Sequence, residues 1–103
     1  MSLRLIIRPH AEADIADAAL WYREQRAGLG DEFVAEVDAA IAAALSNPRQ
    51  YPRLRRKPEV RRVLTKRFPY RVFFILRFDA VVVFRVLHSA RDDREWQMKT
   101  PAD

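Results

Sequence analysis

The chain has 103 residues, of which half are hydrophobic and 32% are charged, and it contains two glycines and no cysteine. This composition is typical of one globular domain, and it excludes a disordered chain, a disulfide framework and thiolate metal ligands. No apolar run approaches the roughly 20 residues that a membrane helix needs, and the first residues lack the pattern of a signal peptide. We therefore expect a single domain over residues 1–103 in the reducing cytoplasm.

The charge is divided unevenly along the sequence. The whole chain has a net charge of +5. Residues 10–47 contain eight acidic and two basic side chains, a balance of −6, whereas residues 48–78 contain eleven basic and one acidic, a balance of +10. Such segregation favours acidic partners or nucleic acid, although a basic face can also serve solubility alone.

The first part of the chain predicts a strand followed by a helix. Residues 3–8 alternate weakly and are short, which indicates a strand. Apolar residues then recur at helical spacing over residues 10–26, after Pro9, whose missing N–H costs nothing at the start of a helix. Asp14 and Asp17 lie early in this helix, where acidic residues suit its positive end.

A second helix follows a short break. Residues 27–30 contain both glycines and interrupt the helical pattern. Residues 31–46 then place apolar side chains on one face and acids on the other, and the helix ends before Pro48. Residues 49–58 form a basic connector with several prolines.

The last third of the sequence predicts three strands. They span residues 60–66, 70–78 and 81–88, and they are rich in the β-branched and aromatic side chains that strands favour. The element order is therefore β-α-α-β-β-β. We expect an α+β fold in which a helical hairpin packs on a small, mainly antiparallel sheet.

The last two strands carry apolar side chains on both faces. A two-residue turn at Asp79-Ala80 would place Phe78 opposite Val81. The side chains that this register assigns to the second face are Phe73, Ile75, Val82, Phe84 and Val86. Two short helices can cover only one face of a hairpin, so the connector and tail, or a partner, must cover the other. We favour a partner segment.

Several short motifs occur in a fixed order along the chain. They are Pro9-His10-Ala11, Asp14-Ile15, Trp21-Tyr22, Gly28-Leu29-Gly30 with Phe33, Asn47-Pro48, Tyr51-Pro52, Val60-Arg61-Arg62, Phe68-Pro69-Tyr70-Arg71-Val72, and finally His88, Arg91 and Trp96. Together they resemble toxins of type II toxin–antitoxin pairs in the RelE/ParE superfamily, in particular the ParE-like plasmid stabilisation proteins. We expect Trp21 and Tyr22 to lie in the core, between helix and sheet.

The resemblance implies a function without a cofactor or a metal ion. ParE-like toxins resemble poisons of DNA gyrase that act by protein–protein contact, and a cognate antitoxin with an acidic C-terminal segment neutralises them. The chain would then form a homodimer or a toxin–antitoxin hetero-oligomer. For antitoxin contact we predict the basic residues Arg61, Arg62, Lys66, Arg67 and Arg71. For target contact we predict His88, Arg91 and Trp96.

Two alternatives remain. RelE-like relatives cut mRNA in the ribosome, which requires a proton-transfer group and cations around the scissile phosphate. The residues that would form such a site are Arg62, Arg71, Arg85 and His88. RelE-like sites also use a tyrosine near the C-terminus, but this chain has none after Tyr70. The other alternative is a non-toxic member that only binds its antitoxin.

Overall fold

The structure, a computed structural model, describes residues 3–90. In chain order its elements are β1 (Arg4–Ile7), α1 (Pro9–Gln25), α2 (Leu29–Ser46), a short 3-10 helix (Pro48–Gln50), β2 (Val60–Leu64), β3 (Tyr70–Arg77) and β4 (Ala80–His88). The strands form one sheet in the order β1-β4-β3-β2, in which β1 is parallel to β4 and the other pairs are antiparallel. The predicted β-α-α-β-β-β order and α+β class are confirmed. Neither helix in this part of the chain is long and apolar enough to cross a membrane.

The turn between the helices depends on its two glycines. Gly28 has a φ of +85°, in the left-handed region that side chains with a Cβ rarely adopt. Gly30 lies against α1, and a Cβ at this position would stand 2.5 Å from the carbonyl oxygen of Ala19. The first glycine therefore permits the turn, and the second permits the close approach of the two helices.

The helical hairpin covers one face of the sheet. Phe33 of α2 and Phe74 of β3 are fully buried in the same cluster. Tyr22 packs there too and stacks on Phe33, with ring centroids 5.3 Å apart. Trp21, by contrast, is 55% exposed, so its predicted place in the core is wrong. Neighbouring helical residues point about 100° apart, because a turn contains 3.6 residues, so only one of the two rings can face the sheet.

The second face of the sheet is also buried. Phe73 and Phe84 are 0% and 1% exposed, and Ile6 of β1 and Leu54 of the connector pack against their cluster. The guanidinium of Arg71 lies over the Phe73 ring, 5.3 Å from its centroid. This face is not left open, so our hypothesis that a partner segment covers it is wrong.

The turn between β3 and β4 lies one residue earlier than predicted. Arg77 pairs with Ala80, so Phe78 and Asp79 form the turn in place of Asp79-Ala80. The parallel strand β1 accounts for the difference, because Arg4 pairs with Ala80 and donates its backbone N–H to the Asp79 carbonyl at 2.7 Å. The neighbouring strand thus draws Ala80 into the sheet.

An irregularity in the β3–β4 ladder changes which side chains share a face. The register shifts between Phe73 and Phe74. Beyond the shift, Val86 joins the cluster beneath the helices and Leu87 joins the second cluster. Strict alternation along the strand, as predicted from the sequence, puts Val86 on the second face, because it takes no account of a bulge.

Phe78 combines two unfavourable features, since its φ is +53° and its side chain is 98% exposed. A left-handed conformation costs an ordinary residue about 1–2 kcal/mol, and asparagine tolerates it best after glycine. We predict that Phe78→Asn raises the free energy of unfolding by about 1 kcal/mol, as measured by urea denaturation.

The matched control is Phe78→Ala, which removes the ring but keeps the strained backbone. We expect no gain in stability from it. An equal gain from both variants would mean that exposure of the ring, and not the backbone, limits stability.

Candidate partner-binding surfaces

A largely buried carboxylate joins α1 to β4. Strand β1 ends with Ile7 opposite Val83, so among the described strands none lies beside the following stretch of β4 on that side. Asp14 occupies this place. Its carboxylate accepts the backbone N–H of Val86 at 2.9 Å, and Nε and Nη2 of Arg85 at 2.8 and 3.1 Å. The side chains of Arg85 and Asp14 are only 8% and 13% exposed, so the ion pair belongs to the fold.

Two of the three cations among the candidate nuclease residues are held by contacts within the fold. Arg62 lies on β2, Arg71 on β3, and Arg85 and His88 on β4. Arg71 is 6% exposed, and its Nη2 donates to the backbone carbonyl of His88 at 3.4 Å. Arg85 pairs with Asp14 of α1.

His88 lines a pocket beside α1. The pocket has a volume of about 260 Å³ and is lined by Asp14, Asp17, Ala18, Trp21, Tyr70, Val86, Leu87 and His88. The Nδ1 atom of His88 accepts the backbone N–H of Ala90 at 3.0 Å. This hydrogen bond ties the imidazole ring to the backbone that follows β4.

The exposed indole of Trp21 lines this pocket, which we call the His88 pocket. Trp21 was not predicted from the sequence as a site residue. Of the three residues predicted for target contact, His88 lies in the pocket, whereas Arg91 and Trp96 lie outside the described residues.

Besides Arg71, two more of the basic residues predicted for antitoxin contact have partners within the chain. The Nη1 atom of Arg61 donates to the backbone carbonyl of Tyr51 at 2.7 Å. The guanidinium of Arg67 lies 3.1 Å from Glu32 and 3.9 Å from Glu36 of α2. These contacts hold the two side chains against the connector and the second helix.

A groove of about 220 Å³ lies between α2 and β2. Its lining is mostly small or apolar and consists of Glu36, Ala39, Ala40, Ala43, Tyr51, Val63, Leu64, Thr65 and Lys66. Leu64 at its rim is 58% exposed. Among the described strands, β2 is an edge strand whose outer side is bridged by the connector near its start. Arg62 lies on this strand and Lys66 lies two residues beyond its end, whereas the buried Arg71 presents no surface to a partner.

Comparison with known proteins identifies the family. Residues 5–93 match the family described as ParE toxin of type II toxin-antitoxin system, parDE. The match covers most of the sequence, so the chain belongs to the ParE toxin family. A chain from the chromosomal ParDE TA system from P. aeruginosa has a similar structure, with a TM-score of 0.76 and 17% identity over 84% of this chain and 96% of that chain. At this identity the likeness shows the shared fold alone. Comparison with curated proteins gave no match.

The ion pair between Asp14 and Arg85 should contribute to the free energy of unfolding. Removing one partner of a buried ion pair costs up to about 3–5 kcal/mol. We predict a loss of about 3 kcal/mol for Asp14→Asn in urea denaturation, because Arg85 loses this carboxylate while the amide can still accept the Val86 N–H.

Asp17→Asn is the matched control, because Asp17 lies on the same helix but is exposed. It should change the free energy of unfolding by less than about 0.5 kcal/mol. If the two variants lose the same small amount, the carboxylate of Asp14 does not fasten the helix.

Proposed function

We propose that this chain is the toxin of a type II pair that acts in the cytoplasm on DNA gyrase by protein–protein contact. A cognate antitoxin with an acidic C-terminal segment keeps it inactive. Membership of the ParE family carries the proposal. The internal contacts of Arg71 and Arg85 give further support, because RNA cleavage requires cations that can hold the scissile phosphate.

The groove between α2 and β2 is the proposed antitoxin site. Its alanine-rich wall can accept an apolar helix face, and the open edge of β2 can pair with an extended segment. Arg62 and Lys66 supply positive charge along this edge. Charge complementarity then speeds the encounter with an acidic segment, while apolar burial at Leu64 holds the complex.

The His88 pocket is the proposed contact with the target. Partly exposed tryptophan beside a concave pocket is typical of the residues that dominate binding energy in protein interfaces. Trp21 supplies this side chain, and Asp17 and His88 supply polar groups that can fix the orientation of a partner. Arg91 and Trp96, which follow His88 in the sequence, complete the proposed contact.

A gyrase assay tests the proposal directly. Purified chain added to gyrase, relaxed plasmid and ATP should reduce supercoiling and accumulate cleaved DNA–gyrase complexes. Trp21→Ala should weaken this inhibition by about tenfold or more, which is the usual effect of truncating a dominant interface residue. Leu20→Ala is the matched control, because Leu20 is the neighbouring residue on α1 and is 48% exposed. It should leave the inhibition unchanged.

Other outcomes would contradict the proposal. New cuts in ribosome-bound mRNA, with no effect on gyrase, would favour an endonuclease. Expression of the chain in cells without its antitoxin and without loss of growth would indicate a non-toxic member that only binds its partner.

A further inference from the structure

A pocket lined by three arginines lies where the connector meets β2. Its volume is about 400 Å³, and its lining is Arg49, Arg53, Pro58, Glu59, Arg61 and Leu76. We call it the arginine pocket. It lies at the start of β2, whereas the groove proposed for the antitoxin involves the end of this strand.

Backbone hydrogen bonds hold the arginine pocket in place. Arg53 forms an isolated antiparallel bridge with Arg61, and the neighbouring Leu54 donates its N–H to the carbonyl of Val60 at 2.9 Å. The Arg61 guanidinium is fixed by its 2.7 Å hydrogen bond to the carbonyl of Tyr51. The connector therefore pairs here with the start of β2, and this pairing positions the backbone of Arg53 beside Arg61.

The positive charge of the arginine pocket is not balanced by the described part of the chain. Glu59 is the one acidic residue in the lining, and its carboxylate pairs with Lys57 at 3.6 Å. Burial, together with the charges of Arg53 and Arg49, lowers the pKa of the Arg61 guanidinium below its usual value. The three cations therefore repel one another, and an anion in the pocket would relieve this repulsion.

We infer that the arginine pocket binds a carboxylate side chain of an extended acidic polypeptide. The inference rests on the proposed function, because it supplies a subsite for the acidic segment of the antitoxin. Guanidinium groups bind carboxylates through paired, charge-assisted hydrogen bonds. Pro58 and Leu76 give the pocket an apolar wall on which the methylene groups of a glutamate can lie.

The lining favours a polypeptide over nucleic acid. Proteins that bind single strands combine positive charge with aromatic rings on which the bases stack. Among residues 3–90, no aromatic side chain lines the arginine pocket, and the nearby ring of Tyr51 packs on Phe74, with centroids 6.2 Å apart. A phosphate backbone would find cations here but no stacking surface.

Titration calorimetry with three synthetic probes tests the inference. The probes are pentaglutamate, pentaglutamine and a five-nucleotide oligothymidylate, each titrated into the full chain at low ionic strength. Pentaglutamate should bind, pentaglutamine should not, and the oligothymidylate should bind more weakly than pentaglutamate. The double variant Arg49→Gln/Arg53→Gln should lower the affinity for pentaglutamate by about tenfold or more, because two charge-assisted contacts are lost.

The control is Arg55→Gln/Arg56→Gln, which removes two charges from exposed positions of the same connector, outside the pocket lining. It should change the affinity by less than about threefold, because its charges act only at a distance. The melting temperature of the pocket variant should not fall, since the substitution relieves repulsion.

Several results would overturn the inference. They are equal losses of affinity in both double variants, tighter binding of oligothymidylate than of pentaglutamate, or no binding of pentaglutamate to the unaltered chain.

The gyrase assay separates failure of this inference from failure of the proposed function. If Arg49→Gln/Arg53→Gln binds pentaglutamate normally while the unaltered chain inhibits gyrase, the carboxylate site is wrong and the proposed action on gyrase stands. If pentaglutamate binding depends on the arginine pocket but the chain does not inhibit gyrase, the carboxylate site stands and the proposed action on gyrase is wrong.

Discussion

The central constraint on this fold is that the hairpin of β3 and β4 must be covered on both faces. Its side chains are apolar above and below the sheet, and leaving either face in water would cost about 25 cal/mol for each Å² exposed. The helices cover one face. On the other, Ile6 and Leu54 pack beside Phe73 and Phe84, which are almost fully buried. The connector is thus part of the core structure, and its position follows from this requirement.

Because both faces of the hairpin are occupied, the polar groups and the binding surfaces lie at the margins of the sheet. Arg85 is neutralised by Asp14, whose carboxylate also completes the hydrogen bonding of β4 where β1 ends. The remaining positive charge lies along the connector and β2, and the exposed Trp21 lies on α1. Under the function proposed above, the antitoxin and the target would contact separate margins of the sheet and need not compete for one apolar face.

The sequence predicted the elements well because their patterns are long and their boundaries are marked by glycine and proline. It failed where tertiary contacts decide. The turn moved to Phe78 because pairing with β1 draws Ala80 into the sheet. Asp14 was assigned to the helix dipole, although its place three residues after the buried Ala11 was a signal that it faces inward. Of the predicted partner contacts, Arg71 could not be recognised as buried, because a strand alone does not reveal what covers it.

The central claim is that the chain seals its own hairpin without a partner. Hydrogen exchange of backbone amides in the free chain, at a concentration too low for association, tests this claim most directly. The account predicts that the amides of Phe73 and Phe84 exchange only through global unfolding, whereas that of Leu64 on the edge of β2 exchanges rapidly. Rapid exchange of Phe73 and Phe84 through local opening, slowed only when a second protein is added, would show that a partner completes the core.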